Sequence, residues 1–248
     1  MSEPLLDFRQ DDYRRLLERF IALGYDFCDL EGLALGGRRV FCRHDVDLSL
    51  AHAMAMAELE RRLGVSATYY VLISTEIYNL ASAEGREWLK QICSLGHKVG
   101  LHFDATKYAP EQAALETAAQ HECHILETLS GEPVRTLSFH RPAKALLGLE
   151  GTFAGRAHTY EPRFFRDTAY VSDSNGGWHY GHPLEHEAVT QGRPLQLLTH
   201  PIWWMHDEPA SVVVAMERLR RQAAARQRLA FAATVKSYGQ WVAQIDAD

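Results

Sequence analysis

Five consecutive residues, Arg43 to Asp47, carry four ionisable side chains. They follow residues 40–42, an apolar run with β-branched and aromatic character that predicts a buried strand. Alternate residues of an extended chain point to the same face, so Asp45 and Asp47 are expected to face one cleft. Neighbouring carboxylates raise each other's pKa unless a cation lies between them. The pair therefore suits a metal hydrolase, in which one carboxylate holds the ion and the other takes a proton from water.

Polar residues recur at the ends of other predicted strands. They are His102 and Asp104 after residues 99–101, His140 and Arg141 after 134–139, Asp173 after 170–171, and His200 after 195–198. In parallel α/β folds this end of the strands builds the site. Aspartate and histidine are ordinary ligands for zinc and similar ions. The set predicts metal-assisted hydrolysis with a carboxylate base, a histidine acid and an arginine that keeps the base ionised.

The elements that position these residues alternate between strands and helices. Helices are predicted at 10–23, 49–63, 82–95, 110–129 and 209–228. About seven strands alternate with them, and this pattern predicts parallel βαβ units. A complete eight-unit barrel has ~250 residues, which is close to the length of this chain. Only about seven strands are predicted here, so one unit of the barrel is missing. We therefore expect an α/β fold, a distorted or incomplete (β/α) barrel of about seven strands, with an open doubly wound sheet as the alternative. No linker or repeat divides the chain, so residues 1–248 are predicted to form a single domain.

Composition excludes several classes of function. A net charge of −6 and a pI near 6.1 argue against a nucleic-acid-binding surface. No signal peptide and no apolar run long enough to cross a bilayer is visible, so no membrane insertion is expected. The four cysteines form no Cys-x-x-Cys pair and indicate reduced thiols. Together these features predict a cytoplasmic protein.

From Phe41 to Trp204 the sequence resembles the NodB-homology polysaccharide deacetylases, carbohydrate esterase family four. It is more similar to the branch with His-Asp-Val-Asp in place of Thr-Phe-Asp-Asp, which is associated with capsule and O-antigen (lipopolysaccharide) biosynthesis. All five family motifs have a counterpart in the right order. By this resemblance Asp45 is the catalytic base and Asp47 the metal-binding aspartate. The spacing is one residue longer than in the main family, so the two roles could be exchanged.

The resemblance also assigns the later motifs. His102, at the end of residues 96–102, corresponds to the first metal histidine. Arg141 corresponds to the arginine that orients the base, and Asp173 corresponds to the fourth motif. His200 corresponds to the acid that protonates the leaving group.

One position departs from the family pattern. The family places a second metal histidine four residues after the first, where this chain has Thr106. Threonine is a poor zinc ligand. His140 is the preferred substitute, and Asp104 is the second choice. His140 could instead hydrogen-bond an acid such as Asp45, and the site could bind metal weakly or not at all.

Five residues near the motifs are predicted to contact substrate: His44, Asp104, Trp178, Trp203 and Trp204. The tryptophans are included because aromatic faces pack against the apolar faces of sugar rings. For His44 a hydrogen bond to the backbone or to a neighbouring site residue is an equal alternative.

The resemblance implies a metal-dependent hydrolase that removes an N-acyl group, acetyl or similar, from a sugar intermediate of surface polysaccharide biosynthesis. The implied cofactor is a divalent metal, zinc first, with cobalt, manganese and nickel as alternatives. The implied substrate is a sugar, or a nucleotide- or lipid-linked sugar. Two other functions stay open: hydrolysis of a different C–N bond, as in a formamide or ureide, and a metal-free relative that binds carbohydrate or a partner. The sequence predicts no oligomeric state.

Overall fold

The computed structural model describes residues 8–179, 181–206, 208, 211–238 and 240 of the chain. These residues fall into two compact units, one within Leu6–Pro209 and one that includes Ala210–Asp248. The first unit carries the sheet and every predicted site residue. The single-domain organisation stays a prediction.

The first unit alternates strands and helices. Its strands are β1 (Asp26–Phe27), β2 (Arg39–Val46), β3 (Thr68–Val71), β4 (Lys98–Phe103), β5 (Thr136–Phe139), β6 (Ala157–His158), β7 (Ala169–Ser172) and β8 (Leu195–Thr199). Its helices are α1 (Gln10–Ala22), α2 (Leu50–Leu63), α3 (Ala83–Ser94), α4 (Gln112–Ser130), α5 (Pro162–Phe165), α6 (Glu187–Thr190) and α7 (Pro201–Trp204).

All strands run parallel. Seven of them form a continuous sheet in the order β6-β5-β4-β3-β2-β8-β7, and β1 pairs with the start of β2. Strand β2, which lies between β3 and β8, is almost wholly buried, which matches its continuous apolar run before the charged motif. β2 also extends through Val46, so Arg43 to Val46 lie inside the last part of the strand and Asp47 directly follows it.

Side-chain contacts across the sheet show that it curves into an incomplete barrel. β2 and β5 are three places apart, about 14 Å in a flat sheet, yet the Arg43 guanidinium donates to Ser138 Oγ. On the far side, the Gln196 amide of β8 donates to the carbonyl oxygens of Thr159, at 3.2 Å, and Phe164, at 2.7 Å. Within the described residues no ladder joins β6 to β7. The prediction of an incomplete α/β barrel of about seven strands is therefore confirmed.

Local signals set the helices that follow the site-bearing strands. Ser49 caps α2 by accepting from the His52 backbone N–H, and Gly64 ends the helix with φ of 72°, a conformation that favours glycine. This short β2–α2 connection fixes where the carboxyl end of β2 points.

The second unit contains α8 (Val212–Thr234), capped by Ser211, whose hydroxyl accepts from the Val214 backbone N–H. Within the part of the chain that the structure describes, no helix has the length and apolar composition required to cross a membrane.

Candidate active site

Three predicted ligands converge at the carboxyl ends of β2, β4 and β5. His102 Nε2 lies 3.1 Å from Asp47 Oδ1 and 3.1 Å from His140 Nδ1. The third side of the triangle, from His140 Nδ1 to Asp47 Oδ1, is 3.4 Å. His102 is buried, whereas the side chains of Asp47 and His140 keep 23 % and 17 % of their exposure. The trio therefore has one buried wall and one side open to a ligand.

The spacing of the three atoms fits a small divalent cation. Zinc ligands at about 2.0–2.1 Å in a tetrahedron lie about 3.3 Å from one another. Asp47 Oδ1 approaches both histidine nitrogens without forming an aligned hydrogen bond to either, whereas His140 Nδ1 and His102 Nε2 are within hydrogen-bond distance of each other. Burial raises the pKa of the Asp47 carboxyl, but His102 and His140 outweigh burial and hold that pKa well below its usual value. An ionised carboxylate with two imidazoles is an ordinary donor set for zinc and similar ions.

Asp45 lies beside this trio on the same face of β2. Its Oδ2 is 3.6 Å from His102 Nε2. Arg43, two residues earlier on the same face, donates hydrogen bonds to both carboxylate oxygens of Asp45. They run from Nε to Oδ1 at 2.9 Å and from Nη2 to Oδ2 at 2.7 Å. Burial raises the pKa of the Asp45 carboxyl, but the Arg43 guanidinium more than compensates and leaves that pKa lowered. Asp45 is therefore a fixed, ionised carboxylate next to the candidate metal position.

Arg43 is itself held on every side. It is fully buried and contacts Gln196, Ser138 and the Tyr160 hydroxyl in addition to Asp45. Its guanidinium carbon also lies 4.9 Å from the centroid of the Tyr160 ring. These contacts fix the direction in which the Asp45 carboxylate faces.

His200 faces the trio from the end of β8. Its Nε2 is 3.8 Å from Asp47 Oδ2, and its Nδ1 hydrogen-bonds Asp173 Oδ1 at 2.6 Å. Asp173 also accepts from the His200 backbone N–H and, at 2.6 Å, from Trp204 Nε1. Burial lowers the pKa of the His200 imidazolium, but the Asp173 carboxylate outweighs burial and raises that pKa to about 9. The pair has the geometry of an oriented proton donor, with Nε2 turned towards the cleft.

The structure corrects the predicted partner of the base. Arg141 does not contact Asp45; its Nη2 donates to Asp104 Oδ2 at 2.7 Å, and Arg43 takes the place expected for it. Asp104 is buried beneath Arg141 and accepts from Thr106 Oγ1 at 2.6 Å, so it is neither part of the ligand trio nor open to substrate. Thr106, at the position of the missing histidine, serves as a local hydrogen-bond partner.

His44 also differs from the prediction of a substrate contact. It points to the opposite face of β2 and is 1 % exposed. Its Nε2 hydrogen-bonds Glu60 Oε1 at 2.7 Å, and its Nδ1 hydrogen-bonds Thr199 Oγ1 at 2.7 Å. With both ring nitrogens occupied in the core, no donor or acceptor remains for a substrate.

Of the three tryptophans predicted to contact substrate, Trp203 and Trp204 are buried in the protein. Trp204 is 2 % exposed and stacks on Phe8 at a centroid distance of 4.4 Å. Trp178 is half-buried and lies edge-on to Phe8 at 5.6 Å. Trp203 is 7 % exposed. The structure therefore contradicts the prediction of open sugar-stacking faces for Trp203 and Trp204, and Trp204 instead orients Asp173.

Sequence reasoning missed two residues. Arg43 was part of the opening motif but had no role, although its i, i+2 relation to Asp45 places both on one face of the strand. Glu60 had no predicted role. It follows the buried Ala53, Met56 and Ala57 at helical spacing, and that register was the signal that it faces inward.

No protein-family model matches the chain, and no curated protein matches it. Solved structures do. One is a family 4 carbohydrate esterase from Bacillus anthracis, with 13 % identity and a TM-score of 0.42. The match covers 86 % of this chain and 86 % of the esterase chain. Another is the Streptococcus pyogenes deacetylase PplD in complex with acetate, with 12 % identity and a TM-score of 0.44. The match covers 77 % of this chain and 81 % of the PplD chain.

A CE4 family pseudoenzyme from Bacillus anthracis matches 75 % of this chain with 13 % identity and a TM-score of 0.38. The chain spans 60 % of the length of that pseudoenzyme and 63 % of a mutant of it with restored activity. These are similarities of fold, and at these values they carry no information on the reaction.

Proposed function

We propose that this chain is a metal-dependent amide hydrolase that removes an N-acyl group from a sugar. The observation that carries the proposal is the trio of Asp47, His102 and His140, whose ligand atoms lie 3.1–3.4 Å apart. On either side of it stand a carboxylate and a histidine that are each fixed by a buried partner. A divalent ion held by the trio would lower the pKa of a bound water and polarise the amide carbonyl.

The remaining residues divide the proton transfers between two sides of the cleft. Asp45, kept ionised by Arg43, accepts the proton of the attacking water at a carboxylate oxygen that faces His102. His200, whose Nδ1 is held by Asp173, donates the proton on Nε2 to the departing amine. Hydrolysis of an amide requires a base for the attacking water and an acid for the departing amine, and Asp45 and His200 each lie beside the trio.

The first experiment measures metal and turnover in the same preparation. We expect about one equivalent of zinc, or of added cobalt or manganese, and release of acetate or formate from N-acetyl or N-formyl amino sugars. His140→Ala should lose the metal, whereas Thr106→Ala should keep it, because the Thr106 hydroxyl contacts Asp104 and not the trio. If the chain retains no ion and added ions restore no hydrolysis, the proposal is wrong.

A second experiment tests the base. Asp45→Asn should lower turnover by about 10²–10⁴-fold while metal content stays unchanged. Because this change also leaves Arg43 buried without its carboxylate, His200→Gln serves as a second variant and should lower turnover without disturbing Arg43. Asp167→Asn, which changes an exposed carboxylate before β7, is the matched control. Retained turnover in Asp45→Asn would assign the base to another residue.

The choice of substrates separates a sugar amide from another C–N bond. Because Trp203 and Trp204 are buried, the side chains next to the candidate metal position are aspartates and histidines. A panel of N-acetyl amino sugars, simple formamides and cyclic ureides, assayed with one metal-loaded preparation, ranks the classes by kcat/KM. Preference for a ureide or a formamide without a sugar would contradict the sugar assignment while leaving the metal centre in place. The surface-polysaccharide pathway, the cytoplasmic location and the choice of zinc belong to this proposal as well.

A further inference from the structure

Arg141 has no part in holding the base, yet its placement is unusually constrained. Its backbone φ is 47°, in the left-handed region that a residue with a side chain seldom adopts, and it directly follows His140. Asp104 holds one of its nitrogens at 2.7 Å, and 65 % of the side chain remains exposed. Positive φ at a non-glycine residue is costly and concentrates at functional positions. The result is a guanidinium presented at the mouth of the candidate active site.

The anchor beneath Arg141 is rigid. Asp104 is buried and accepts from the Thr106 backbone N–H at 3.1 Å and from the Thr106 hydroxyl at 2.6 Å. A guanidinium has five N–H donors, and a single hydrogen bond, to Asp104, is described for this one. The other donors are therefore available, in a fixed orientation, to an anion that approaches from the cleft. Arginine binds phosphate through paired N–H groups.

A groove of about 390 Å³ begins at Arg141 and runs along the first turns of α4. Its lining comes from the segments that follow β4, which carries His102, and from those that follow His140. Most of its lining is aliphatic, and the residues that matter are Leu115, Leu146, Leu149, Ala143 and Ala145. A phosphate on Arg141 would stand between the metal trio and this groove.

The few polar side chains in the groove already donate hydrogen bonds to neighbouring carboxylates. Thr106 donates to Asp104, the Tyr108 hydroxyl donates to Glu122 at 2.5 Å, and the Gln112 amide donates to Glu116 at 2.9 Å. A nucleobase needs hydrogen-bond partners when it loses water, and a hydrocarbon chain does not. The lining therefore favours a hydrocarbon over a nucleotide.

We infer that Arg141 and the groove bind a phosphate-linked hydrocarbon chain, so that the substrate is a sugar joined through phosphate to a lipid. This inference rests on the proposed function for the position of the sugar, which would lie with its acylamino group at the trio. The phosphate sits on the guanidinium, and the first carbons of the chain lie against Leu115, Leu146 and Leu149.

The test uses probes that need no turnover. Calorimetry of the full chain compares geranyl phosphate with geraniol, inorganic phosphate and uridine monophosphate, each with the divalent ion present and after chelation. Geranyl phosphate should bind at least about tenfold more tightly than the other three, because only it offers both the charge and the chain. Arg141→Gln should weaken it about tenfold, as expected for loss of one hydrogen-bonded charge. Ala145→Glu should weaken it by placing a carboxylate in the groove.

Arg166→Gln is the matched control, since Arg166 is 69 % exposed and lies before β7, at the opposite end of the strands. Its affinity for geranyl phosphate should equal that of the unmodified chain. Unchanged affinity in Arg141→Gln would place the phosphate on the metal and overturn the inference. Equal or tighter binding of uridine monophosphate would overturn the choice of a lipid.

The inference and the proposed function can fail separately. If geranyl phosphate binds through Arg141 but no N-acyl sugar is hydrolysed, the lipid phosphate site stands and the proposed reaction fails. If an uncharged N-acyl sugar is hydrolysed and geranyl phosphate does not bind, the reaction stands and this inference fails.

Discussion

The two faces of β2 carry polar clusters of the same chemical types. The two clusters differ in whether their buried polar atoms have hydrogen-bond partners. The cleft cluster consists of Asp45, Asp47, His102, His140 and His200. The core cluster consists of Tyr13, His44, Glu60, Tyr69 and Thr199. In the cleft, Asp47 Oδ1 and His102 Nδ1 are buried without a hydrogen-bond partner among the described residues. In the core, Glu60 accepts from Tyr13 and Tyr69, each at 2.6 Å, and His44 bridges Glu60 to Thr199.

The difference separates a site from a structural network. A buried polar group without a partner costs free energy, so it persists where something outside the chain completes it. The core cluster needs nothing further, because its carboxylate, hydroxyls and imidazole pair with one another. We therefore expect substitutions in the cleft to change ligand binding and turnover, and substitutions in the core to change stability.

The largest effect is expected from Asp47→Asn in the cleft. Removing a charged ligand from the trio should lower turnover by about 10⁴-fold or more, since metal binding and the chemistry that depends on it are lost together. The unfolding free energy of the metal-free chain should fall less than in Glu60→Gln, because Asp47 Oδ1 makes no aligned hydrogen bond and only its electrostatic interaction with His102 and His140 is lost. Metal analysis, turnover and urea denaturation measure the three quantities. A large loss of stability without metal would place Asp47 with the core cluster.

Glu60→Gln is the corresponding change in the core. It removes a buried charge that accepts from two hydroxyls and His44, and should lower the unfolding free energy by about 3 kcal/mol. Turnover per folded molecule should change little, because Glu60 lies on the face of β2 away from the trio. Urea denaturation and active-site titration separate the two effects. If Glu60→Gln were as stable as the unmodified chain but without turnover, the assignment of Glu60 to a purely structural cluster would be wrong.

The acid sensitivity of the core follows from the same carboxylate. Burial raises the pKa of Glu60, but His44 and its other partners outweigh burial and leave that pKa below its usual value of 4.5. The stabilisation is therefore fully present above about pH 4.5 and is lost as the pH falls through the folded-state pKa. Unfolding free energy measured between about pH 6 and pH 3 should fall more steeply for the unmodified chain than for Glu60→Gln. Parallel curves would mean that Glu60 is not ionised in the folded protein.

The smallest effect is expected from deleting one hydroxyl. Tyr13→Phe removes a hydrogen bond to a buried carboxylate and should cost about 1.5–3 kcal/mol. Tyr25→Phe is the matched control, since Tyr25 is also buried but donates to backbone carbonyls, the nearest that of Arg193 at 3.0 Å. It should cost about 0.5–1.5 kcal/mol, the range for a hydrogen bond between neutral groups. Equal costs would show that the charge on Glu60 adds nothing.

Much of the fold and the trio followed from short-range rules. Period-two alternation placed Asp45 and Asp47 on one face, and the carboxyl-end rule for parallel strands gathered Asp47, His102 and His140 in one place. His140 was selected over Asp104 as the substitute for the missing histidine, and the structure places only His140 in the trio.

The errors concern side chains whose partners come from distant elements. Arg141 was matched to the base by motif order, but barrel curvature brings Ser138 and Tyr160 around Arg43 and leaves Arg141 beside Asp104. Trp204 was expected at the surface, yet Phe8 and Asp173 enclose it. Such contacts depend on how layers pack in three dimensions, which sequence spacing does not encode.

The position of β2 in the sheet bears on when the protein becomes competent during its synthesis. β2 pairs with β8, whose Gln196 contacts Arg43 across 153 residues of sequence. The chain emerges from the amino end, so Asp45 is made early while the strand that completes its surroundings arrives late. Contacts of such long sequence separation also form slowly. The Asp45 carboxylate is thus oriented only when nearly all of the barrel has assembled. In a partly synthesised chain, Arg43 lacks the contacts that fix the direction of this carboxylate.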